Sequence, residues 1–74
     1  MRIVSSNIAT ADYNRTTREL KMTFIKRPMW EYTYYKVPPR IWVEFVRCES
    51  KGRYFADIIE PTYSYSRKII RNKS

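Results

Sequence analysis

Leu20, Met22 and Phe24 alternate with Glu19, Lys21 and Thr23. This is the period-two pattern of a strand with one face buried, and it is the clearest element in the chain. Upstream, residues Ile8 to Tyr13 are shorter and of mixed polarity, with Ala9, Ala11 and Tyr13 on one side of an extended reading, which predicts a further strand. The stretch "NRTTR" between them reads as a turn, because Asn14 tolerates left-handed backbone and the threonine hydroxyls bond locally. Downstream, "KRP" interrupts the alternation and "MWEYTYYKV" follows, rich in the aromatic and β-branched residues that strands favour. The second and third strands are therefore expected to form a hairpin.

In "VPPRIWVEFVRCES" the residue types would also suit a strand, but the spacing decides for a helix. Ile41, Phe45 and Cys48, flanked by Trp42 and Val46, recur at helical intervals, and Pro38 and Pro39 stand where a first turn needs no amide donor. The expected helix runs from about Pro39 to Glu49, with Gly52 as its terminator. Pro61 interrupts the apolar stretch "YFADIIEPTYSYS", which reads as an irregular segment or an edge strand. The closing "RKIIRNKS" carries four cations and no acid, and predicts a basic tail from about residue 67 with frayed last residues. The pattern as a whole describes one α+β domain over residues 1–74: a small antiparallel sheet of about three strands, one helix packed across it, and a C-terminal segment closing the edge.

Composition narrows the function classes. A chain of 74 residues supports a single core, and a core of that size supplies about 3–5 kcal/mol of net stability. Hydrophobic residues at 43% and aromatics at 16% exclude a disordered chain, since that much apolar surface can offset the entropy of ordering it. Fifteen Lys and Arg against seven Asp and Glu leave a net charge of +8, the electrostatic footprint of a protein that meets polyanions. Cys48 has no second cysteine to pair with, and the first residues lack the continuous apolar region of a signal peptide. No run is long enough to cross a bilayer, so a soluble, cytoplasmic protein without a membrane partner is expected.

The chemistry that is missing matters as much. With no histidine, one cysteine and no cluster of acids at ligand spacing, neither a transition-metal site nor a Cys/His nucleophile pair can be assembled. A single glycine cannot build the loops that cradle nucleotide phosphates. The expectation is a binding module with no cofactor, no metal and no catalytic residues.

Three stretches are candidates for binding. In "WEYTYY", Trp30, Tyr32 and Tyr34 fall on one face of a strand; these rings either form the core with Leu20, Met22 and Phe24, the preferred reading, or Tyr32 and Tyr34 offer a stacking platform for unpaired bases. In "SKGRYF", Tyr54 and Phe55 are expected to anchor a turn on the core while Lys51 and Arg53 reach towards a phosphate backbone. In "RKIIR", Arg67, Lys68 and Arg71 form either a solvated tail or a phosphate-contacting arm.

Taken together, "SSNI", Tyr32-x-Tyr34 followed by "YKVP", then "PRIWVEFV", "SKGRYF" and "YSYSRKI" make the chain similar to the KTSC domain, from about Ser5 to Ile69. That family takes its name from the C-terminal extension of some lysyl-tRNA synthetases, and it also occurs as free-standing small bacterial and phage proteins. The resemblance implies RNA binding, on the strength of that company and of the tyrosine motif. This chain departs from the family where a glycine usually turns the hairpin: it has "IKRPMW" and a slightly longer connection, which makes Lys26 and Arg27 a further contact site. The leading expectation is an RNA-binding module with a basic surface centred on tyrosines. The rival is a small phage-type or bacterial regulator that docks on a nucleic-acid machine such as RNA polymerase or a ribosome component.

Overall fold

The structure, a computed structural model, describes residue 3 and residues 5–70. Four strands, β1 (Ile8–Asn14), β2 (Glu19–Phe24), β3 (Arg27–Tyr34) and β4 (Tyr65–Ile69), form one sheet in the order β1-β2-β3-β4, each pair antiparallel. Helix α1 (Pro39–Arg47) follows β3. A second helix, α2, spans residues 51–62: it starts as α-helix at Lys51–Tyr54, widens to π geometry over Phe55–Ile59 and ends in an α-helical turn at Glu60–Thr62. The α+β class with an antiparallel sheet holds, but the sheet has a fourth strand and the chain a second helix.

Local chemistry sets the turns. The Asn14 side-chain oxygen accepts from the amides of Thr16 at 2.9 Å and Thr17 at 3.1 Å, while the left-handed residue of that connection is Arg18, at φ 58°, rather than Asn14 itself. Ala9 is the extra residue of a bulge between Ile8 and Thr10, and the bulge lets both Ile8 and Ala11 face the core, each 0% exposed. A second irregularity follows Thr23, where the register moves from Thr23↔Glu31 to Phe24↔Arg27. Pro28, which has no amide to give to a ladder, sits in that irregular stretch. Lys36, also at φ 58°, then redirects the chain, and Pro38 in extended backbone (φ −65°, ψ 150°) leads into α1 with Pro39 in its first turn.

Ile41 and Phe45, one helical turn apart, bury α1 against the sheet. Trp42 beside them stacks on Tyr13 with ring centroids 5.5 Å apart, and the Tyr13 hydroxyl donates to the Val37 carbonyl at 2.6 Å. From α2, Phe55 and Ile59 enter the same core, which also holds Leu20, Met22, Tyr32 and Tyr34.

Helix α1 ends at Arg47, two residues short of the expected boundary, with Cys48 already extended. Gly52 does not stop it. The glycine lies inside the first turn of α2 without a positive φ, and a Cβ there would meet Ser5 Oγ at 3.5 Å, an ordinary contact. The Cys48 amide closes α1 by donating to the Glu44 and Phe45 carbonyls, and Lys51 Nζ adds a cap on the Cys48 carbonyl at 2.9 Å. Residues 51–62 are helical where an irregular segment or strand was expected, because Pro61 was read as a breaker. Pro61 indeed has no amide to return to the preceding turn, and the chain meets this by widening: the Glu60 amide bonds the Phe55 carbonyl, five residues back. Arg67 and Lys68, expected in a tail, belong to β4, whose register with β3 includes Tyr32↔Arg67 and Glu31↔Lys68. The residues expected to fray lie outside the described part of the chain.

Candidate nucleic-acid interface

Both helices lie on the face of the sheet that carries Ala11, Leu20, Met22, Tyr32 and Tyr34, but their cover stops short of β4. Every residue of β4 is exposed, including Tyr65 at 52% and Ile69 at 58%. Between the uncovered side chains of β4, the body of α2 and the β2–β3 connection lies an open cleft of about 430 Å³. Its floor is Tyr32, Tyr34 and Phe24, its walls are Phe55, Ala56 and Glu60 on one side and Tyr65 and Arg67 on the other, and Lys26 and Arg27 stand at one end.

Strand pairing explains this arrangement. Paired residues of antiparallel strands share a face, so Tyr32 brings Arg67 and Tyr34 brings Tyr65 into the cleft. The Tyr65 ring tilts against both neighbours, with centroids 5.7 Å from Tyr32 and 5.2 Å from Tyr34. Arg67 lies over the Trp30 ring at 4.3 Å, a cation–π contact that holds the guanidinium at the cleft.

The charge pattern is polar along the cleft. The nearby guanidiniums of Arg67 first and Arg27 second hold the Tyr32 phenol below the ordinary value of 10.0. Tyr32 is thus buried by its ring, 7% exposed, while its hydroxyl meets two cations at the opening. Burial above all, and then the charge of Glu60, pushes the Tyr34 phenol up. Tyr54, in a different environment, is pushed up to about 12 by burial and by its hydrogen bond to Glu44. A spectroscopic phenol titration is therefore expected to show Tyr32 ionising before Tyr54 and Tyr34, so that Tyr32→Phe removes an early contribution and Tyr34→Phe a late one. Because the folded values of Tyr34 and Tyr54 are raised, their contribution to stability is complete below pH 10.0 and is lost as pH rises above it, whereas the lowered Tyr32 favours the fold only at alkaline pH. A Tyr32→Phe variant that loses its phenol signal at the alkaline end of the titration would contradict the placement of both arginines.

Of the residues singled out in the sequence, the cleft gathers Lys26, Arg27, Tyr32, Tyr34 and Arg67. The rings of Tyr32 and Tyr34 belong to the core, the reading preferred from the sequence, and both residues also line the cleft. The "SKGRYF" candidates divide instead. Lys51 caps α1, Arg53 pairs with Asp57 at 3.5 Å on the exposed surface of α2, and Tyr54 turns towards α1, donating to Glu44 at 2.6 Å. Lys51 and Arg53 border a separate hollow with Ser5 and Ser6, and Asn7 touches both that hollow and the cleft. Lys68 points to the opposite face of the sheet, 3.6 Å from Glu31. Arg71 lies outside the described residues. Tyr65 and Glu60 were not anticipated; the signal for Tyr65 was the alternation in "YSYSRKI", in which Tyr65 and Arg67 fall on one face of a strand and line the cleft. No group of histidine, cysteine, aspartate and glutamate able to hold a metal occurs among the described residues.

A one-sided sheet with two helices and a tyrosine-lined cleft define a small α+β domain, and the family follows from comparison. The KTSC domain model matches residues 4–63, and the chain belongs to that family. The crystal structure of the KTSC domain protein YPO2434 from Yersinia pestis superposes with a TM-score of 0.82 at 28% sequence identity, covering 96% of this chain and 94% of that one. No curated protein matches the chain. Among the described residues no helix is long and apolar enough to cross a membrane.

Proposed function

We propose that this protein is a non-enzymatic RNA-binding module and that it holds RNA in the cleft between β3–β4 and α2. The observation that carries this reading is that Lys26, Arg27 and Arg67 line one ring-lined cleft with Tyr32, which the β3–β4 register sets opposite Arg67. Guanidinium forks match phosphate oxygens in two places at once, and Arg67 is already oriented by Trp30. The half-exposed Tyr65 ring, fixed by its two neighbours, offers a face to a base beside that phosphate. The far side of the sheet is a poorer candidate: Lys68 there is matched by Glu31, which balances the local field.

Binding of a fluorescent single-stranded RNA, followed by anisotropy across a salt series, tests this. Affinity should fall steeply as salt rises, because phosphate contacts release counterions. Tyr65→Ala should weaken binding about tenfold, the worth of one stacked base, with little change in melting temperature. A flat salt response, or a protein partner retained after nuclease treatment together with no RNA binding, would favour the regulator that docks on RNA polymerase or a ribosome component.

A further inference from the structure

The cleft carries cations at one end and a carboxylate at the other. Lys26, Arg27 and Arg67 gather around Tyr32, whereas Glu60 stands near Tyr34, and among the described residues it has no ion pair. A protein of net charge +8 that binds only phosphate gains nothing from an acid in its binding cleft. Resting on the RNA reading above, we infer that Glu60 reads a base, and that the cleft selects guanine.

The order of groups along the cleft fits one nucleotide. The β3–β4 register sets Arg67 beside Tyr32 and Tyr65 beside Tyr34, so the cations come first, the Tyr65 ring next and Glu60 of α2 at the Tyr34 end. With the phosphate between Arg27 and Arg67 and the base against Tyr65, the Watson–Crick edge lies towards Glu60. Guanine presents two adjacent N–H donors there, from N1 and N2, and a carboxylate with two oxygens accepts both. Uracil offers one N–H flanked by two carbonyl oxygens that the carboxylate repels. Adenine and cytosine each place a ring-nitrogen acceptor next to their amino group, so neither can donate twice to one carboxylate.

The test compares an all-uridine octanucleotide with the same RNA carrying a single guanosine or a single inosine, which lacks the N2 amino group. The wild-type protein should bind the guanosine RNA about tenfold more tightly than the uridine RNA, with inosine between them. In Glu60→Ala the three RNAs should bind alike, at or above the affinity of the wild-type protein for all-uridine RNA, since a repelling charge is gone. Equal binding of guanosine and uridine RNA by the wild type, or a preference that survives in Glu60→Ala, overturns the inference. Arg67→Ala separates the two levels. Weaker binding of all three RNAs in this variant upholds the cleft as the RNA site whatever Glu60 does, and unchanged binding of all three removes the site and the base selection with it.

Discussion

Replacing Tyr34 by alanine should unfold the protein. The ring is 2% exposed, meets Phe55 edge-on at 5.3 Å between centroids and lies 5.2 Å from Tyr65. Removing a buried aromatic ring costs about 3–5 kcal/mol, which is as much as the whole net stability expected of a core this small. Tyr34→Phe, by contrast, keeps the ring and should keep the fold, because only a hydroxyl at the edge of the cleft is lost. Urea or thermal melts of both variants decide the point. If Tyr34→Ala melts like the wild type, the ring does not support the sheet, and the cleft floor is not where the geometry puts it.

The largest effect on binding should come from changing Arg27 and Arg67 together to alanine. Each guanidinium is a charge-assisted donor to phosphate, and a hydrogen bond to a charged group is worth about 1.5–3 kcal/mol. Losing both should lower RNA affinity on the order of a hundredfold or more and flatten its salt dependence, since fewer counterions are released. The comparison is with Lys51 and Arg53 changed together, which also removes two positive charges. One of these caps α1 and the other is paired with Asp57. That second pair should lower affinity far less, and Lys51→Ala should register mainly as lost stability. An equal loss from the two double variants would mean that net charge, rather than the cleft, attracts the RNA.

Much of the fold could be read from short-range pattern. The alternation of Leu20, Met22 and Phe24 and the helical spacing of Ile41 and Phe45 each report a single face; Leu20, Met22, Ile41 and Phe45 are buried, and Phe24 packs half-buried beside them. The second helix could not be read in this way. Gly52 and Pro61 are punctuation in a local reading, yet the glycine fits within a first helical turn and the proline is absorbed by a π segment that turns both Phe55 and Ile59 inwards. The edge strand β4 was legible only as a C-terminal segment closing the edge, irregular or extended, because a strand that is exposed along its whole length has no buried face to announce it. The candidate site depended on those two elements. Arg67 and Tyr32 are far apart in the chain and become neighbours only through the β3–β4 register, and Glu60 reaches the cleft only because residues 51–62 are helical. Tyrosines and cations were visible as ingredients, whereas the division of "SKGRYF" into a cap, a surface ion pair and a core ring follows from tertiary contacts alone.

Amide-shift mapping of the isotope-labelled protein during titration with single-stranded RNA tests the central claim most directly, because it locates the contact without altering the chain. The cleft account predicts that the largest shifts fall on Arg27, Tyr32, Glu60, Tyr65 and Arg67, with Lys21, Thr33, Tyr35 and Lys68 on the opposite face of the sheet little changed. Shifts concentrated on that opposite face, or around Lys51 and Arg53 with the cleft silent, would contradict it.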